Sequence, residues 1–411
     1  MSGVTKCLLL GNGFDLHHKL PTKYIHILQV FKFWSENHDN NFESIGQLLG
    51  SYYEFVLKKP NYDISKDEVV QHYLKHKAKL DLIRIENQEI LITVDNSFWF
   101  QYFLNSKYED IGWIDFELEI QRVLNLFDYI ISNNISEGEI VEAPNLPVFQ
   151  VLCSYHNPKC IYICKLDNDR EYITVLVDRS FLNNDLLSAK CSYRADEIAK
   201  YLYDDLDDVK KVIKFYITHI IDSVLDDSMK SKNMPFIYEV DYVLNLNYSE
   251  TAERIYGIGN ETITHYHGKA SNNIVLGINS SFDDELNESR QVNTTFIMFK
   301  KYYQRIIMDF DKKHMNFLSF LQDHKIHRSG KHAHIENAIE LAVVGHSLDK
   351  SDEDIIIELF NLCDRVYVYY YDVIDHGKYI KNLTAIFGRT AVLEMRKIGK
   401  LTFYKLPAYE C

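Results

Sequence analysis

Short and nearly continuous apolar runs occur at the start of the chain and again after residue 240. Each run has four to six residues, is rich in Val, Ile, Leu or Tyr, and lacks an apolar–polar alternation. Strands covered by helices on both faces have this pattern, because both faces are buried. The predicted strands are Cys7–Leu10, Tyr242–Leu246, Ile263–Tyr266, Ile274–Ile278, Leu341–Val344, Val366–Tyr370 and Leu401–Leu406.

Helical patterns lie between several of these strands. The segments Ser249–Tyr256 and Ser351–Leu362 carry apolar residues at helical spacing. Ser249 is predicted to cap the first of these helices, and either Ser351 or Asp352 the second. The alternation of strand and helix predicts an α/β fold with a doubly wound, mostly parallel, Rossmann-like sheet.

The stretch from residue 23 to residue 235 is dominated instead by long amphipathic patterns. Near residues 160–177, two β-type runs flank Asp167-Asn168-Asp169, which predicts a β-hairpin. We therefore predict a core made of residues 1–22 and 236–411, interrupted after the first strand by a mainly helical insertion. The helices predicted in this insertion include Tyr24–Trp34, Ile45–Leu57, Val69–Leu82, Asp115–Ile131 and Ala195–Leu225.

Charge and cysteine content narrow the class of protein. The 411 residues include 59 acidic and 45 basic side chains, a formal charge of −14, which argues against nucleic acid as a partner. The seven cysteines are scattered without a Cys-x-x-Cys pair, so neither a disulfide scaffold nor a zinc ribbon is predicted. The chain has neither a secretory signal pattern nor an apolar run long enough to cross a membrane. We expect a cytoplasmic homo-oligomer with no membrane partner.

The first predicted strand ends in the glycine turn Gly11-Asn12-Gly13 and leads into a helix that begins near Phe14. Such a turn can hold a phosphate, because the backbone approaches the anion closely and N–H groups at the helix start point toward it. The dinucleotide fingerprint has a third glycine where this chain has Leu16. Two interpretations therefore stay open, a nucleotide-binding turn and a plain tight turn.

Two later strands end in residues that indicate chemistry. Asn247 follows the strand that begins at Tyr242 and lies where open α/β sheets bind ligands, unless it only closes a turn. His265 and His267 are two residues apart on a predicted strand, so they would converge on one site. Histidine is a natural general base near neutral pH, and a His-x-His pair can also bind a metal. A pair at a strand end without any function is the other interpretation.

Three weaker features remain. Gly345-His346-Ser347 follows another buried strand and repeats the strand-to-glycine pattern. Asp115 and Glu117 stand near a predicted helix start, where carboxylates either interact with the helix dipole or contribute to a site. A basic, histidine-rich segment occupies residues 324–334, as a solvated loop or as a phosphate contact.

The opening segment, Leu10 to Leu16 followed by Leu20-Pro21-Thr22-Lys23-Tyr24, resembles the start of the bacteriophage abortive-infection AbiH family. This resemblance implies a role in antiphage defence and a phage-derived trigger. It continues in family order through Trp113-x-Asp115-x-Glu117, Leu246-Asn247-Tyr248, His267-Gly268-Lys269, and Gly345-His346-Ser347-Leu348 with Asp352.

The motif order also resembles that of sirtuin-like domains, including those that destroy NAD during antiphage defence. This resemblance implies that the protein binds NAD and cleaves its nicotinamide–ribose bond without a metal. Asn247 would position the water or the ribose, and His267 would be the general base. The implied cofactor-binding residues are Gly11, Asn12, Gly13, Phe14, Asp15, Gly268, Gly345 and Ser347.

The chain departs from the sirtuin-like pattern at Asn12, where alanine is usual, and at Ser249, where aspartate is usual. Asp15 also places a carboxylate near the proposed phosphate site. Two alternatives therefore stay open. One is a non-catalytic nucleotide-sensing or nucleotide-binding module that acts through a partner. The other is a metal-dependent nucleotide or nucleic-acid hydrolase that uses Asp15, Asp115 and Glu117.

Overall fold

In a computed structural model of the chain, a six-stranded sheet organises the fold. Its strands are β1 (Thr5–Leu10), β5 (Tyr242–Asn245), β6 (Ile263–His265), β7 (Ile339–Val344), β8 (Arg365–Tyr370) and β9 (Leu401–Lys405), in the order β6-β5-β1-β7-β8-β9. Every neighbouring pair of strands in this sheet is parallel. The structure describes residues 4–86, 89–105, 116–133, 140–142, 162–163, 172–176, 194–279, 294–326 and 338–410.

The strand order defines where a ligand site would lie. From β1 the chain adds β5 and then β6 on one side, and it returns to the other side of β1 for β7, β8 and β9. This is the doubly wound order, whose ligand crevice opens at the carboxyl ends of the strands where the direction of winding reverses. Here the reversal lies between β1 and β7.

Both faces of the sheet are buried, which explains the continuous apolar runs. In β1, Cys7 and Leu9 belong to one apolar cluster, whereas Leu8 and Leu10 belong to another. Side chains of β7 alternate between the same two clusters. Because successive side chains point to opposite faces, a strand that is covered on both faces must be apolar at every position.

The residues between β1 and β5 are mainly helical where the structure describes them. Their apolar faces form a third cluster, rich in aromatic residues. This cluster also includes six apolar residues that follow β6 in the chain, namely Ala270, Ile274, Leu276, Ile278, Phe296 and Phe299. The α-helices of the described ranges are Asn12–His17, Tyr24–Glu36, Ile45–Val56, Glu68–Leu80, Glu89–Asn96, Phe98–Asn105, Phe116–Ser132, Ala195–Tyr216, Thr251–Tyr256, Lys301–Ile307, Asp311–Ile326, Glu353–Leu362, Val373–Phe387 and Arg389–Lys397.

The sequence predicted the six strands of this sheet, but its prediction of a strand at Ile274–Ile278 is wrong. Ile274 forms a single antiparallel bridge with Gly268, and Ile278 forms a single parallel bridge with Lys300. The segment is apolar because Ile274, Leu276 and Ile278 pack into the helical cluster. The burial was therefore predicted correctly, and the secondary structure was not.

The predicted hairpin is present as two antiparallel strands, β3 (Tyr162–Ile163) and β4 (Tyr172–Leu176), and its turn lies outside the described residues. The sequence did not predict β2 (Ile140–Glu142), which pairs with the other side of β4. The division into a core and an inserted domain stays a prediction. Within the described residues, no helix is both long and apolar enough to span a membrane.

Replacing the fully buried Leu9 in β1 by alanine tests how much the sheet depends on this strand. Leu9→Ala is expected to lower the free energy of unfolding by about 2–5 kcal/mol, because it leaves a cavity in a packed core. Denaturant unfolding followed by circular dichroism measures the loss. The control is Leu82→Ala, at a side chain that is 81% exposed. An equal effect of the two substitutions would contradict the buried position of β1.

Candidate functional site

The loops that follow β1, β5, β6 and β7 meet at one edge of the sheet. The register pairs Leu10 with Asn245 on one side and with Val344 on the other, and Asn245 with His265. Since all four strands are parallel, their carboxyl ends lie at the same edge. The four loops carry Gly11, Asn247, His267 and Gly345.

The glycines of the first turn allow two loops to pack against each other. A Cβ atom at Gly11 would lie 2.5 Å from His346 Cα, and one at Gly13 would lie 2.6 Å from Gly345 Cα. The N–H of Gly11 donates to Val344 O at 3.1 Å, and the N–H of Gly13 donates to Gly345 O at 2.8 Å. The glycines are thus required by the contact between the β1 and β7 loops.

The side chains of the first turn have different environments. Phe14 is fully buried and packs beside His18 and Tyr256, and its N–H donates to Gly11 O at 2.8 Å. Asn12 is exposed, and its amide oxygen accepts a hydrogen bond from Thr22 Oγ1 at 2.6 Å. The N–H groups of Gly11, Gly13 and Phe14 are therefore engaged by backbone carbonyls.

Asn247 joins the β5 loop to the first turn. Its side-chain amide donates to Gly11 O at 3.0 Å, and its backbone N–H donates to Asn245 Oδ1 at 2.9 Å. Both asparagines are buried. Asn247 therefore closes a turn and lies directly against the first turn. Its role in binding a ligand stays a prediction.

His267, after β6, is held by the carboxylate of Asp352. His267 Nε2 lies 3.0 Å from Asp352 Oδ1, and His346 Nε2 lies 3.2 Å from Asp352 Oδ2. All three side chains are buried. The other ring nitrogen of His267, Nδ1, is buried and has no hydrogen-bond partner within the described residues.

Lys301 completes this buried network and was missed by the sequence analysis. Its side chain is 1% exposed, and Nζ lies 2.9 Å from Asp352 Oδ1 and 2.7 Å from Glu117 Oε2. Lys301 begins the helix that ends at Ile307, and Glu117 lies in the first turn of a helix between β1 and β5. No motif surrounds Lys301, so only its burial reveals it. Glu117 had been singled out by the sequence, without its partner.

The prediction that Ser351 or Asp352 caps the next helix is correct for the position of Asp352 and wrong for the capping hydrogen bond. Asp352 occupies the N-cap position of the helix that begins at Glu353, but its side chain makes no capping hydrogen bond. Its carboxylate instead binds His267 and Lys301. Ser351 makes no cap either, because its hydroxyl donates to Asp349, which caps the short helix Lys350–Asp352 by accepting from the N–H of Ser351 at 3.0 Å. Tertiary ion pairing has displaced the local interaction.

Burial and ion pairing set the charges of this network. Burial, reinforced by the Lys301 ammonium, lowers the pKa of His267 to about 4 against the opposing effect of Asp352. Burial alone would raise the pKa of the Asp352 carboxyl, but Lys301 and His267 hold it well below its ordinary value. The two carboxylates beside Lys301 raise its pKa in spite of burial. At neutral pH, Asp352 and Lys301 are therefore charged and His267 is neutral.

His265 and His267 do not form one convergent pair, which corrects the sequence prediction. The strand ends at His265, so the alternation of side chains does not extend to His267. His265 Nε2 pairs instead with Glu253 Oε1 at 2.7 Å. Gly268 then turns the chain at a φ of 75°, where an added Cβ would lie 2.0 Å from Asn273 O. Only a glycine at position 268 fits this backbone turn beside His267.

Asp15 lies beneath the first turn, where it is 1% exposed. Its Oδ2 accepts a hydrogen bond from Ser249 Oγ at 2.6 Å, and Ser249 Oγ accepts one from Thr251 Oγ1 at 3.0 Å. Ser249 therefore bonds to Asp15, and the prediction that it caps the following helix is wrong: the helix begins at Thr251 without a side-chain cap. Burial raises the pKa of Asp15 to about 6 and that of the nearby Asp222 to about 8.

One of the remaining predicted residues, Ser347, lies in the β7 loop, and most of the others lie outside the described residues. Ser347 is exposed and donates to Asp349, while its carbonyl accepts from Asn382 Nδ2 at 2.9 Å. Asp115 lies outside the described residues, as does most of the histidine-rich segment 324–334. Among the described residues, no group of three or more His, Cys, Asp or Glu side chains is arranged to hold a metal ion.

Gly345 tests the contact between the first turn and the β7 loop. Its φ is 71°, and an added Cβ would lie 2.1 Å from Phe14 N. Gly345→Ala is expected to destabilise the protein by more than about 1–2 kcal/mol, the cost of the left-handed conformation alone. The control is Gly377→Ala, within a helix and with no atom within 4 Å of its added Cβ, which is expected to stabilise slightly. Thermal unfolding measures the stability of both variants. A Gly345→Ala protein as stable as the wild type would refute the close contact between the first turn and the β7 loop.

Asp15→Asn tests the cost of burying this carboxylate. Because the pKa of Asp15 is raised from 3.8 to about 6, its ionisation opposes folding fully above about pH 6 and not at all below about pH 4. The substitution is expected to stabilise the protein at about pH 8 by up to about 3 kcal/mol, and the gain should disappear at about pH 4.

Chemical unfolding at the two pH values measures this gain. Glu36→Gln, at an exposed carboxylate, is the control and should change stability little at either pH. A loss of stability at pH 8 in Asp15→Asn would contradict the assignment.

Comparison with known protein families gives the identity of the chain. The family described as bacteriophage abortive infection AbiH matches residues 7–371. The match runs from β1 to just beyond β8 and includes every site residue discussed above. Neither the curated proteins nor the solved structures provided a match. The chain belongs to the bacteriophage abortive infection AbiH family.

Proposed function

We propose that this protein acts in phage abortive infection by binding NAD and hydrolysing its nicotinamide–ribose bond. The observation that carries the proposal is the position of His267. It follows the edge strand β6 at the carboxyl edge of a doubly wound sheet, and Asp352, in the loop that follows β7 at the reversal of winding, binds it at 3.0 Å. The sirtuin-like order of the motifs adds the substrate class, since nothing in a strand order distinguishes NAD from another nucleotide.

His267 is available to accept a proton. Its pKa, lowered to about 4, keeps the imidazole neutral near pH 7. Its Nδ1 is buried and lacks a hydrogen-bond partner within the described residues. A buried acceptor of this kind is stabilised by a donor that a bound ligand brings, such as the hydroxyl of a water or of a ribose. The nicotinamide riboside end of NAD would therefore lie against His267, with Asn247 near the attacking water.

The proposed reaction is the displacement of nicotinamide by water. The bond between the nicotinamide nitrogen and ribose C1′ breaks, and its electron pair neutralises the pyridinium. Water oxygen forms the new bond to C1′, and His267 Nδ1 accepts the water proton, which then passes to solvent. Positioning of the water and proton removal are the contributions of this site.

The diphosphate requires a different arrangement from the one expected from the sequence. The N–H groups of Gly11, Gly13 and Phe14 already donate to backbone carbonyls. We therefore propose that the diphosphate lies on the outer side of the first turn, near the exposed Asn12 and Ser347. Gly11, Gly13 and Gly345 would act by keeping the two loops closely packed, and Gly268 by holding the turn beside His267. Phe14 and Asp15, both buried, would support the turn from below.

His267→Ala tests the proposed base. The wild type is expected to release nicotinamide from NAD, in the purified state or after addition of phage lysate as the trigger. The variant should lose about 10²–10⁴-fold of this rate, because a positioned base contributes that much. Chromatographic measurement of nicotinamide gives the rate. His76→Gln, in a helix between β1 and β5, is the matched control and should retain the wild-type rate.

Two outcomes would contradict hydrolysis of NAD. One is the absence of nicotinamide release by the wild type under every activating condition. The other is normal phage protection by a folded Asn247→Ala/His267→Ala protein. Saturable binding of unchanged NAD together with such protection would instead identify a nucleotide-sensing module that acts through a partner.

A further inference from the structure

We infer that Asp352, supported by Lys301, is a positioning residue that fixes His267 as the tautomer with its proton on Nε2 and its lone pair on Nδ1. The inference rests on the proposed function in treating His267 as the base. It assigns to Asp352 and Lys301 the role of orienting the His267 imidazole. None of the other residues in the proposed function has this role.

The hydrogen bonds of Asp352 determine which nitrogen of His267 carries the proton. An ionised carboxylate only accepts hydrogen bonds. Asp352 Oδ1 lies 3.0 Å from His267 Nε2 and 2.9 Å from Lys301 Nζ. A neutral His267 can satisfy this contact only if its proton is on Nε2. The lone pair is then on Nδ1, where a base can receive a proton.

A backbone hydrogen bond determines the tautomer of His346, the second histidine that contacts Asp352. The N–H of Leu348 donates to His346 Nδ1 at 3.0 Å, so this nitrogen carries no proton. The proton of His346 is therefore on Nε2, 3.2 Å from Asp352 Oδ2. His346 is thus a neutral donor, and both oxygens of Asp352 are occupied as acceptors. The carboxylate cannot turn away from His267 without losing one of these contacts.

The tautomer of His267 also depends on the charge of Asp352. A protonated Asp352 could donate to His267 Nε2 and would stabilise the opposite tautomer. Lys301 prevents this, because its buried ammonium lies within 2.9 Å of both Asp352 Oδ1 and Glu117 Oε2. Its third contact is to Ser351 O at 3.2 Å. Lys301 therefore keeps Asp352 ionised, and Glu117 keeps Lys301 in place.

The tautomer is measured directly by nuclear magnetic resonance of the protein labelled with ¹⁵N-histidine. Two-bond correlations between ring nitrogens and ring protons distinguish the two tautomers, and the His267→Gln variant assigns the signals by difference. The wild type is expected to show His267 with its proton on Nε2. Asp352→Asn should shift the population toward the proton on Nδ1. Asp354→Asn is the matched control, because Asp354 binds Arg305 and Tyr266 and should leave the tautomer unchanged.

Turnover is the second readout. Asp352→Asn is expected to lower kcat for nicotinamide release by no more than His267→Ala does, about 10²–10⁴-fold, because it acts by misorienting the same base. KM should change little, because Asp352 acts through His267. A merely structural role would lower the folded fraction and leave the tautomer of the folded molecules unchanged.

The design separates the inference from the proposed function. If the tautomer depends on Asp352 but nicotinamide is never released, the proposed function fails and the positioning role stands. If nicotinamide is released while His267 carries its proton on Nδ1, or while Asp352→Asn leaves the tautomer unchanged, the inference is overturned.

A second variant covers the case in which Asp352→Asn does not fold. Lys301→Met combined with Glu117→Gln removes one positive and one negative charge, so the buried net charge is unchanged. Asp352 would then lose its cation and take up a proton more readily. The double variant should show a mixture of His267 tautomers near neutral pH. Retention of the Nε2 tautomer alone in the folded double variant would overturn the role of Lys301.

Discussion

The buried carboxylate of Asp352 is the interaction on which the arrangement of the site depends. It joins the loop after β6 to the loop after β7 through His267 and His346, and it reaches the helical part of the chain through Lys301 and Glu117. A buried charge is tolerated only where opposite charge and hydrogen-bond donors replace the lost water. The loops and the helices must therefore be assembled together for any of these groups to be satisfied.

Close packing at the reversal of winding is the second constraint. Gly11 and Gly13 touch the backbone of the β7 loop, and Asn247 binds the carbonyl of Gly11. In a dinucleotide-binding turn the glycines bring backbone close to a phosphate. Here their nearest neighbours are the backbone atoms of Gly345 and His346. The first turn is thus packed against the β7 loop, and in the proposed function the neighbouring loops would contribute the reactive groups.

The sequence predicted the sheet well because its signal is local. Most positions of these strands are apolar, since alternate side chains enter two different apolar clusters. The errors occurred where tertiary contacts override local preference. Ile274 and Ile278 pack against helices in place of forming a strand, Ser249 binds Asp15 in place of capping a helix, and Asp352 binds His267.

The sequence by itself determined the six strands of the main sheet, their order along the chain and the family, because these depend on patterns within a few consecutive residues. Only the tertiary structure decided which side chains pair there. Lys301 carries no local signal, and its partners Glu117 and Asp352 lie on distant segments of the chain. Their ion pairs form because folding removes water from all three groups at once, and no spacing along the chain encodes that event.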